Sequence, residues 1–395
     1  MRICHFTSTF FPRVGGVEIV VSNLARSQHE SGHSVIVITP RIRGINNKVT
    51  VPYRVVHYSR PSSKRYLTRQ VLLRLLWEHW RDPFDILHCH SAYPHGYVAS
   101  SFSRLTGVPV VVTPHGPTDI MREEQIRRNP ILEKRMARGM RSAAGITAIS
   151  NHIFDEILSI GGIASDKVHI IPNGVNLDDF THVEKISLEF PYVFAMGRMV
   201  HQKGFDHLLR AFQGVIHATQ DLHLLIAGEG VHRRDYEMLA ASLGLEGRVQ
   251  FLGLVQGTQK IGFMKGAEFF ICPSRFEPFG IVVLEAMASG IPVVANRVGG
   301  IVDIIEEGKQ GLFAEPSSVE SLRDAILSLH RNPQLRNQMA EQALARSKDY
   351  DWSIINQRYV DVYLKGIQNN TRKPPWIFSK LFGNRTERSA VSIGS

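Results

Sequence analysis

The sequence predicts an α/β protein made of two doubly wound, parallel-sheet domains. Three observations carry that expectation. Short runs rich in Val and Ile recur along the chain, longer amphipathic segments separate them, and a polar, acidic stretch without period at 176–191 divides them into two sets. Apolar strands alternating with helices belong to parallel sheets covered on both faces. The first set comprises 2–6, 34–39, 85–89, 109–113, 145–150 and 168–171. The second comprises 192–196, 223–227, 249–252, 268–272, 292–295 and 312–314. Twelve such runs exceed what one open twisted sheet accommodates, so the chain divides into domains at 1–180 and 190–350. Helices are expected at 17–30, 205–219, 231–243 and 280–289; in the first, Val17, Val20, Val21 and Leu24 share one face.

Composition narrows the class. The 395 residues are 43% hydrophobic and 21% charged, which excludes a disordered or fibrous chain. The net charge of +10 predicts anionic partners: nucleic acid, a membrane surface or phosphorylated metabolites. Cys4, Cys89 and Cys272 are far apart and odd in number, so they form neither a disulfide framework nor a metal ribbon, and a reducing compartment is expected. The first residues lack a signal peptide's apolar core, and the most apolar long run, 281–295, is broken by Glu285 and Pro292. The expectation is a cytoplasmic protein, soluble or peripheral at the inner face of the plasma membrane.

Four motifs carry chemistry, each at the carboxyl edge of a predicted strand or opening a helix, where doubly wound sheets bind ligands. The first runs from Gly197 and Arg198 to Lys203 and Gly204. An Arg and a Lys five apart converge readily on a diphosphate, although a solvated basic loop has the same composition. The second runs from Glu277 to Glu285, with Gly280, Ile281 and Val282 opening a helix whose free amides attract anions. Its two carboxylates also suit the acid and base of a hydrolase, or simply one helix-capping and one surface Glu. The third, Gly15 and Gly16, permits close backbone approach to a phosphate or sugar but is no dinucleotide fingerprint; an ordinary tight turn also uses Gly-Gly. The fourth is His115, beside Gly116 at a strand end, whose ring could donate to a sugar hydroxyl or a developing charge. His88 and His90 share one strand face, with His95 nearby, but no local carboxylate or cysteine completes a ligand set. Strand-end packing or cleft lining is the expected role, and no metal site is assigned.

Taken in order, these motifs resemble the family-four (group 1) retaining glycosyltransferases of the GT-B fold. Residues 171–175, 228–230, 251–254 and 298–300 add to a likeness that covers about 1–365. The resemblance implies two Rossmann-like domains facing a cleft, an acceptor side in the first and a nucleotide-sugar side in the second. A helix at 351–368 would cross back to the first domain, leaving a basic, flexible tail at 369–395. It implies retaining, metal-independent transfer of a hexose from a UDP- or GDP-sugar to a glycan, lipid-linked or small-molecule acceptor, in cell-envelope or exopolysaccharide biosynthesis. No cofactor is implied. By position, Arg198 and Lys203 would neutralise the leaving diphosphate, helped by the amides of Gly280, Ile281 and Val282 and by Gly15 and Gly16. Glu285 would bind ribose, Glu277 and His115 would contact the donor sugar, and Val255 and Lys260 would hold the base.

Two rivals remain open. A sugar-nucleotide 2-epimerase shares the architecture. A basic binding module is the other, with no helix-turn-helix, aromatic RNA-binding signature or zinc finger to support nucleic acid as partner. Residues 60–81 interleave Lys64, Arg65, Arg69, Arg74 and Arg81 with Leu and Trp, as an interfacial helix does and as an ordinary surface helix also does. The acceptor surface is expected around 118–140.

Overall fold

A computed structural model describes residues 1–371 except 14, 43, 45, 60–63, 117–119 and 121–124. The basic tail from residue 372, and part of both the basic helix region and the expected acceptor region, therefore lie outside the described residues. The chain divides into two compact units, Met1–Pro172 with Ile355–Ser395, and Asn173–Ile354.

The first unit is built on a seven-stranded parallel sheet. Its strands are β1 (Arg2–Phe6), β2 (Ser34–Pro40), β3 (Arg54–Tyr58), β4 (Ile86–Cys89), β5 (Val110–Val112), β6 (Gly145–Ala148) and β7 (Val168–Ile170), in spatial order β3-β2-β1-β4-β5-β6-β7. Central strands β4, β5 and β6 are buried at every position. Strand β3 was not among the predicted runs. It lies at the sheet edge, where its burial alternates along its length, although its sequence, Arg-Val-Val-His-Tyr, follows the same pattern as Arg-Ile-Cys-His-Phe of β1. The main helices are α1 (Gly16–Glu30), α2 (Lys64–Arg81), α3 (His95–Thr106), α4 (Pro130–Ser142) and α5 (Asn151–Leu158). Helix α1 buries Val20, Val21 and Leu24 of the predicted apolar face together with Ala25 and the polar Glu18, Ser22 and Gln28, while Val17 is half-buried. Asn129 and Ser150 cap α4 and α5 through their side chains.

The second unit is a six-stranded parallel sheet of β8 (Tyr192–Met196), β9 (His223–Ala227), β10 (Val249–Gly253), β11 (Phe270–Cys272), β12 (Val293–Asn296) and β13 (Gly311–Ala314), in order β10-β9-β8-β11-β12-β13. Its main helices are α6 (Phe205–Ala218), α7 (Arg233–Ser242), α8 (Gly257–Gly266), α9 (Ile281–Ala288), α10 (Val319–His330) and α11 (Pro333–Ser347). Phe205, Leu208, Leu209 and Phe212 of α6 pack into a core with Leu224 and Ile226 of β9 and Leu322 and Ile326 of α10. The polar stretch 176–191 lies within this unit. Its backbone is held by Lys265, which donates to Phe180 O (2.6 Å) and Val183 O (2.9 Å), and by Tyr192, which donates to Ile186 O (2.9 Å). Its lack of period reflects a surface meander tied down by side chains rather than by a ladder.

Helix α12 (Trp352–Gln368) fills the span 351–368 expected for it, and from Ile355 onward it belongs to the first unit. There Tyr359 and Tyr363 are fully buried, and Asn356 donates to Ser31 Oγ at 3.1 Å.

Candidate active site

In each sheet the strand order reverses once, between β1 and β4 in the first unit and between β8 and β11 in the second. Loops leaving the carboxyl ends of two such strands diverge to opposite faces, and the crevice between them is where open α/β sheets bind ligands. The predicted motifs of the second unit occupy its crevice. Gly197–Gly204 follows β8 and the segment 273–280 follows β11, strands paired through Phe270↔Phe194 and Ile271↔Ala195.

An ion pair joins the two loops: Lys203 donates to Glu277 Oε2 at 2.5 Å, with Glu277 8% exposed. Burial works against the Lys203 ammonium, but Glu277 outweighs it and holds the lysine pKa above its ordinary value, while the nearby Arg198 charge opposes the rise. Arg198 is exposed and forms no ion pair among the described residues. The Lys203 stem packs over Gly197, whose missing side chain would stand 3.5 Å from Cδ. A glycine is required at 299, where φ is +52° and a Cβ would fall 2.0 Å from the carbonyl oxygen of Glu277. That close approach lets Gly300 N–H donate to the same carbonyl at 2.9 Å, clamping the Glu277 backbone.

Helix α9 begins just beyond Glu277. Gly280, at φ +110°, is its N-cap and offers no side-chain cap, so the amides of Gly280, Ile281 and Val282 open a helix end with partial positive charge. Glu285 lies one turn further in, 8% exposed, and accepts from Lys260 of α8 at 2.7 Å. Val255, in the loop after β10, is buried at 2% exposure. The second unit thus gathers Arg198, Lys203, Glu277 and the α9 amides around one crevice, with Lys260–Glu285 as a separate pair beside α9.

One element of this site was not legible in the sequence. Arg275 grips Asp206 with two parallel bonds, 2.8 and 2.6 Å, and donates to His201 O at 2.7 Å. It ties the loop after β11 to the turn that carries Lys203. A basic residue beside a proline-rich strand end was the only available signal, and its partner lies 69 residues away.

In the first unit, Gly15 and Gly16 open α1. Glu18, in the first turn and 5% exposed, accepts from Thr9 Oγ1, and its carboxylate fills the space that a side chain at 15 would take. His115 lies beyond β5 and is joined to a buried chain of imidazoles. Its Nε2 is 2.9 Å from His90 Nδ1, His90 Nε2 is 2.8 Å from His5 Nδ1, and His5 Nε2 is 2.7 Å from Gln28 Oε1. Gln28 donates to Tyr363 OH at 3.2 Å, Tyr363 OH is 2.6 Å from His88 Nδ1, and His88 Nε2 is 2.6 Å from Thr113 Oγ1. Burial pushes His5 and His115 down to about 4, and His88 and His90 well below the ordinary histidine value, so all four are neutral at physiological pH. His5, His88 and His90 lie close enough together to suggest a metal cluster. All six of their ring nitrogens, however, are engaged in the hydrogen bonds just described, which leaves no lone pair aimed at a common point.

Two family profiles match in succession: Glycosyltransferase Family 4 over residues 14–179 and Glycosyl transferases group 1 over residues 178–346. An uncharacterized glycosyltransferase of Methanocaldococcus jannaschii is 30% identical across 92% of this chain and 98% of its own. The chain belongs to the group 1, family 4 glycosyltransferases. Another relative, the phosphatidyl-myo-inositol mannosyltransferase of Mycobacterium leprae, is 29% identical across 92% of this chain and 96% of its own. Among solved structures, sucrose-phosphate synthase from Thermosynechococcus elongatus superposes with a TM-score of 0.79 at 20% identity, covering 92% of this chain and 99% of that one. Anabaena HepE in complex with UDP and glucose gives 0.74 at 19% identity, covering 91% and 99%. The two parallel sheets of this family 4 glycosyltransferase are the GT-B fold that its motifs imply.

Proposed function

We propose that this glycosyltransferase moves a hexose from a UDP- or GDP-sugar to a glycan, lipid-linked or small-molecule acceptor with retention at the anomeric carbon and without a divalent metal. The observation that carries the reading is the Lys203–Glu277 pair at the β8/β11 crevice, beside the open N-terminus of α9. Breaking the bond between the anomeric carbon and the diphosphate builds negative charge on the leaving oxygens and positive charge on the sugar. Arg198, Lys203 and the amides of Gly280–Val282 stabilise the former, a role that a metal ion fills in other phosphate chemistry. Glu277 takes its place against the sugar, as an orienting and charge-stabilising carboxylate. The acceptor hydroxyl forms the new bond on the face the diphosphate leaves, and its proton passes to a departing phosphate oxygen. Lys260 and Glu285, with Val255, serve the nucleoside. Gly15, Gly16 and His115 serve the diphosphate and sugar from the first unit.

The acceptor side of the reading is an anionic membrane surface. Leu73, Trp77 and Trp80 of α2 are 58%, 52% and 51% exposed, the two indoles lie 5.2 Å apart, and exposed Arg69 and Arg81 flank them. An apolar, aromatic face bordered by arginines suits the headgroup region of a membrane. The opposite face, with Val71 and Leu75, is buried as an ordinary packed helix requires. The name of the mycobacterial relative, a mannosyltransferase for a phosphatidylinositol, supports a lipid-borne acceptor. Among the described residues no helix is long and apolar enough to cross a membrane. The exposed face of α2 supports a place for the enzyme at the inner membrane surface, in cell-envelope or exopolysaccharide synthesis.

The deciding experiment incubates the protein with a panel of UDP- and GDP-hexoses and measures nucleotide release, then weighs the acceptor products. Release that depends on acceptor, with a mass gain of one hexosyl residue, is the expected result. Release without acceptor, accompanied by an isomeric sugar, would identify a 2-epimerase instead.

A further inference from the structure

The buried chain around His115 has a direction, and the direction has a chemical consequence. Each neutral imidazole donates from one nitrogen and accepts at the other, so a run of imidazoles bonded nitrogen to nitrogen must point one way throughout. Gln28 anchors the run. Its amide nitrogen donates to Tyr363 OH, which leaves Oε1 facing His5 Nε2. His5 therefore carries its proton on Nε2 and accepts at Nδ1 from His90 Nε2–H; His90 in turn accepts at Nδ1 from His115 Nε2–H. On the other side of the anchor, Tyr363 donates to His88 Nδ1, and His88 Nε2–H donates to Thr113. All four histidines then hold the Nε2–H tautomer, the form that free neutral histidine prefers. Turning the Gln28 amide over would force all four at once into the less stable Nδ1–H form.

The chain is sealed everywhere except at one end. His5, Gln28, His88 and Tyr363 are 0% exposed and His90 2%, whereas His115 retains 9%. Among the described residues nothing bonds His115 Nδ1.

We propose that Gln28, His5 and His90 are positioning residues that fix His115 as an Nε2–H tautomer, so that its outward Nδ1 presents a bare lone pair to a hydroxyl or N–H of the sugar substrate. This rests on the reading that His115 contacts the sugar. It also reverses the donor role expected from the sequence: the proton of His115 is committed inward. A lone pair accepts from a sugar hydroxyl and repels an oxygen that can only accept, such as a diphosphate oxygen. The imidazole chain thereby assigns His115 to the sugar and not to the leaving group.

The test is side-chain 15N NMR on the full chain labelled at histidine, near pH 7.5, with the His115 signals identified by their loss in His115→Asn. A pyridine-like Nδ1 and a pyrrole-like, protonated Nε2 at His115 are expected in the unsubstituted protein. A protonated Nδ1, or averaged signals from a tautomer mixture, would overturn the proposal whatever the enzyme transfers. In Gln28→Met, where the anchor is removed but His115 is untouched, the His115 signals should move toward the averaged pattern. The kcat/KM for the sugar nucleotide should fall about threefold to tenfold, a loss matched to one weakened hydrogen bond. His90→Asn keeps an acceptor where Nδ1 stood and should retain the Nε2–H pattern at His115, whereas His90→Leu should lose it. Should His115→Ala leave turnover unchanged while the NMR pattern is as expected, the functional reading of His115 fails and the polarity of the chain stands.

Discussion

Lys203 Nζ stands 2.5 Å from Glu277 Oε2, and the two residues come from loops that leave adjacent strands toward opposite faces of the sheet. The pair therefore bridges the two loops that border the crevice of the second unit. An ammonium has three donors, and one is taken by Glu277, which leaves two for a ligand. The cation that would meet the diphosphate is thus held in place by the carboxylate assigned to the sugar.

Arg198 and Lys203 should separate in their effects. Arg198→Ala removes an exposed cation that has no ion pair among the described residues, so the thermal midpoint should hold while kcat/KM for the sugar nucleotide falls at least tenfold, as expected when a donor to developing charge is lost. Lys203→Ala should cost activity to a similar degree. It should also cost about 1–3 kcal/mol of stability in denaturant titration, because it leaves Glu277 buried without its partner. Unchanged transfer in either variant would remove these residues from the leaving-group site.

Arg275→Ala tests how the Lys203 turn is held. Losing a bidentate grip on Asp206 and a bond to His201 O frees the turn without touching a ligand. The expectation is a KM increase of about threefold to tenfold with a smaller change in kcat, the pattern of a loosened binding loop. Asp206→Asn, which keeps one acceptor, should fall between the two proteins.

The uneven legibility of the chain has a physical basis. The central strands of both sheets were visible because each is a short, mainly apolar run between longer amphipathic segments, and the crevice loops because Arg198, Lys203, Glu277 and Gly280 follow such runs closely. Strand β3 was missed although its residues match the pattern of β1; its edge position, with Arg54 exposed and Val55 and His57 half-buried, shows only in the folded sheet. The imidazole chain was hidden for a different reason. His5, Gln28, His90 and Tyr363 each look like ordinary core or helix residues, and their partners are 23 to 335 residues distant. Only a folded sheet shows that β1, β4 and α12 bring them into line. His88 and His90 were read as strand-end packing or cleft lining, yet the Nδ1 that faces His115 gives His90 a polarity no spacing rule contains.

Gly299→Ala should be far more damaging than Gly308→Ala. Both glycines have positive φ, +52° and +79°, so both substitutions incur a backbone strain of about 1 kcal/mol. At 308 nothing lies within 4 Å of the added methyl. At 299 the methyl would meet the Glu277 carbonyl oxygen at 2.0 Å, and backbone cannot move aside as a side-chain tip can. Denaturation midpoints and turnover measured on both variants should show a modest stability loss alone for 308 and a loss of both for 299.

Acid should unfold the first unit early. His5, His79 and His115 have folded pKa values of about 4, with burial the leading cause in each, against 6.5 for an exposed histidine. Above 6.5 both folded and unfolded forms are neutral and the shift has no effect. As pH falls below 6.5 the unfolded chain takes up protons that the folded chain refuses, so stability declines until about pH 4. Each such histidine contributes up to about 3 kcal/mol to the decline. His330 of the second unit has the opposite sign, since Glu268 raises its pKa: its contribution is full below 6.5 and fades as pH rises through the folded value. Hydrogen exchange resolved by peptide between pH 7 and 4.5 should therefore show protection lost first in β1, β4 and α12. Retained protection there, with loss in the second unit, would contradict the burial of the histidine chain.

The exposed face of α2 yields a prediction that separates apolar insertion from simple charge attraction. Trp77 and Trp80 carry the apolar contact and Arg69 and Arg81 the charge. The protein should co-sediment with phosphatidylglycerol vesicles at low salt, and less with phosphatidylcholine vesicles, because each arginine near an anionic surface adds about 1 kcal/mol. Replacing both indoles, Trp77→Ser with Trp80→Ser, removes rings that are half-exposed, so folding should persist while the partition coefficient drops about tenfold or more. Salt distinguishes the two contributions further. If arginines alone attract the vesicle, raising ionic strength abolishes binding in both proteins; if the indoles insert, a salt-resistant fraction remains in the unsubstituted protein and disappears in the double variant. Equal sedimentation of the two proteins under every condition would show that α2 is only a solvated surface helix.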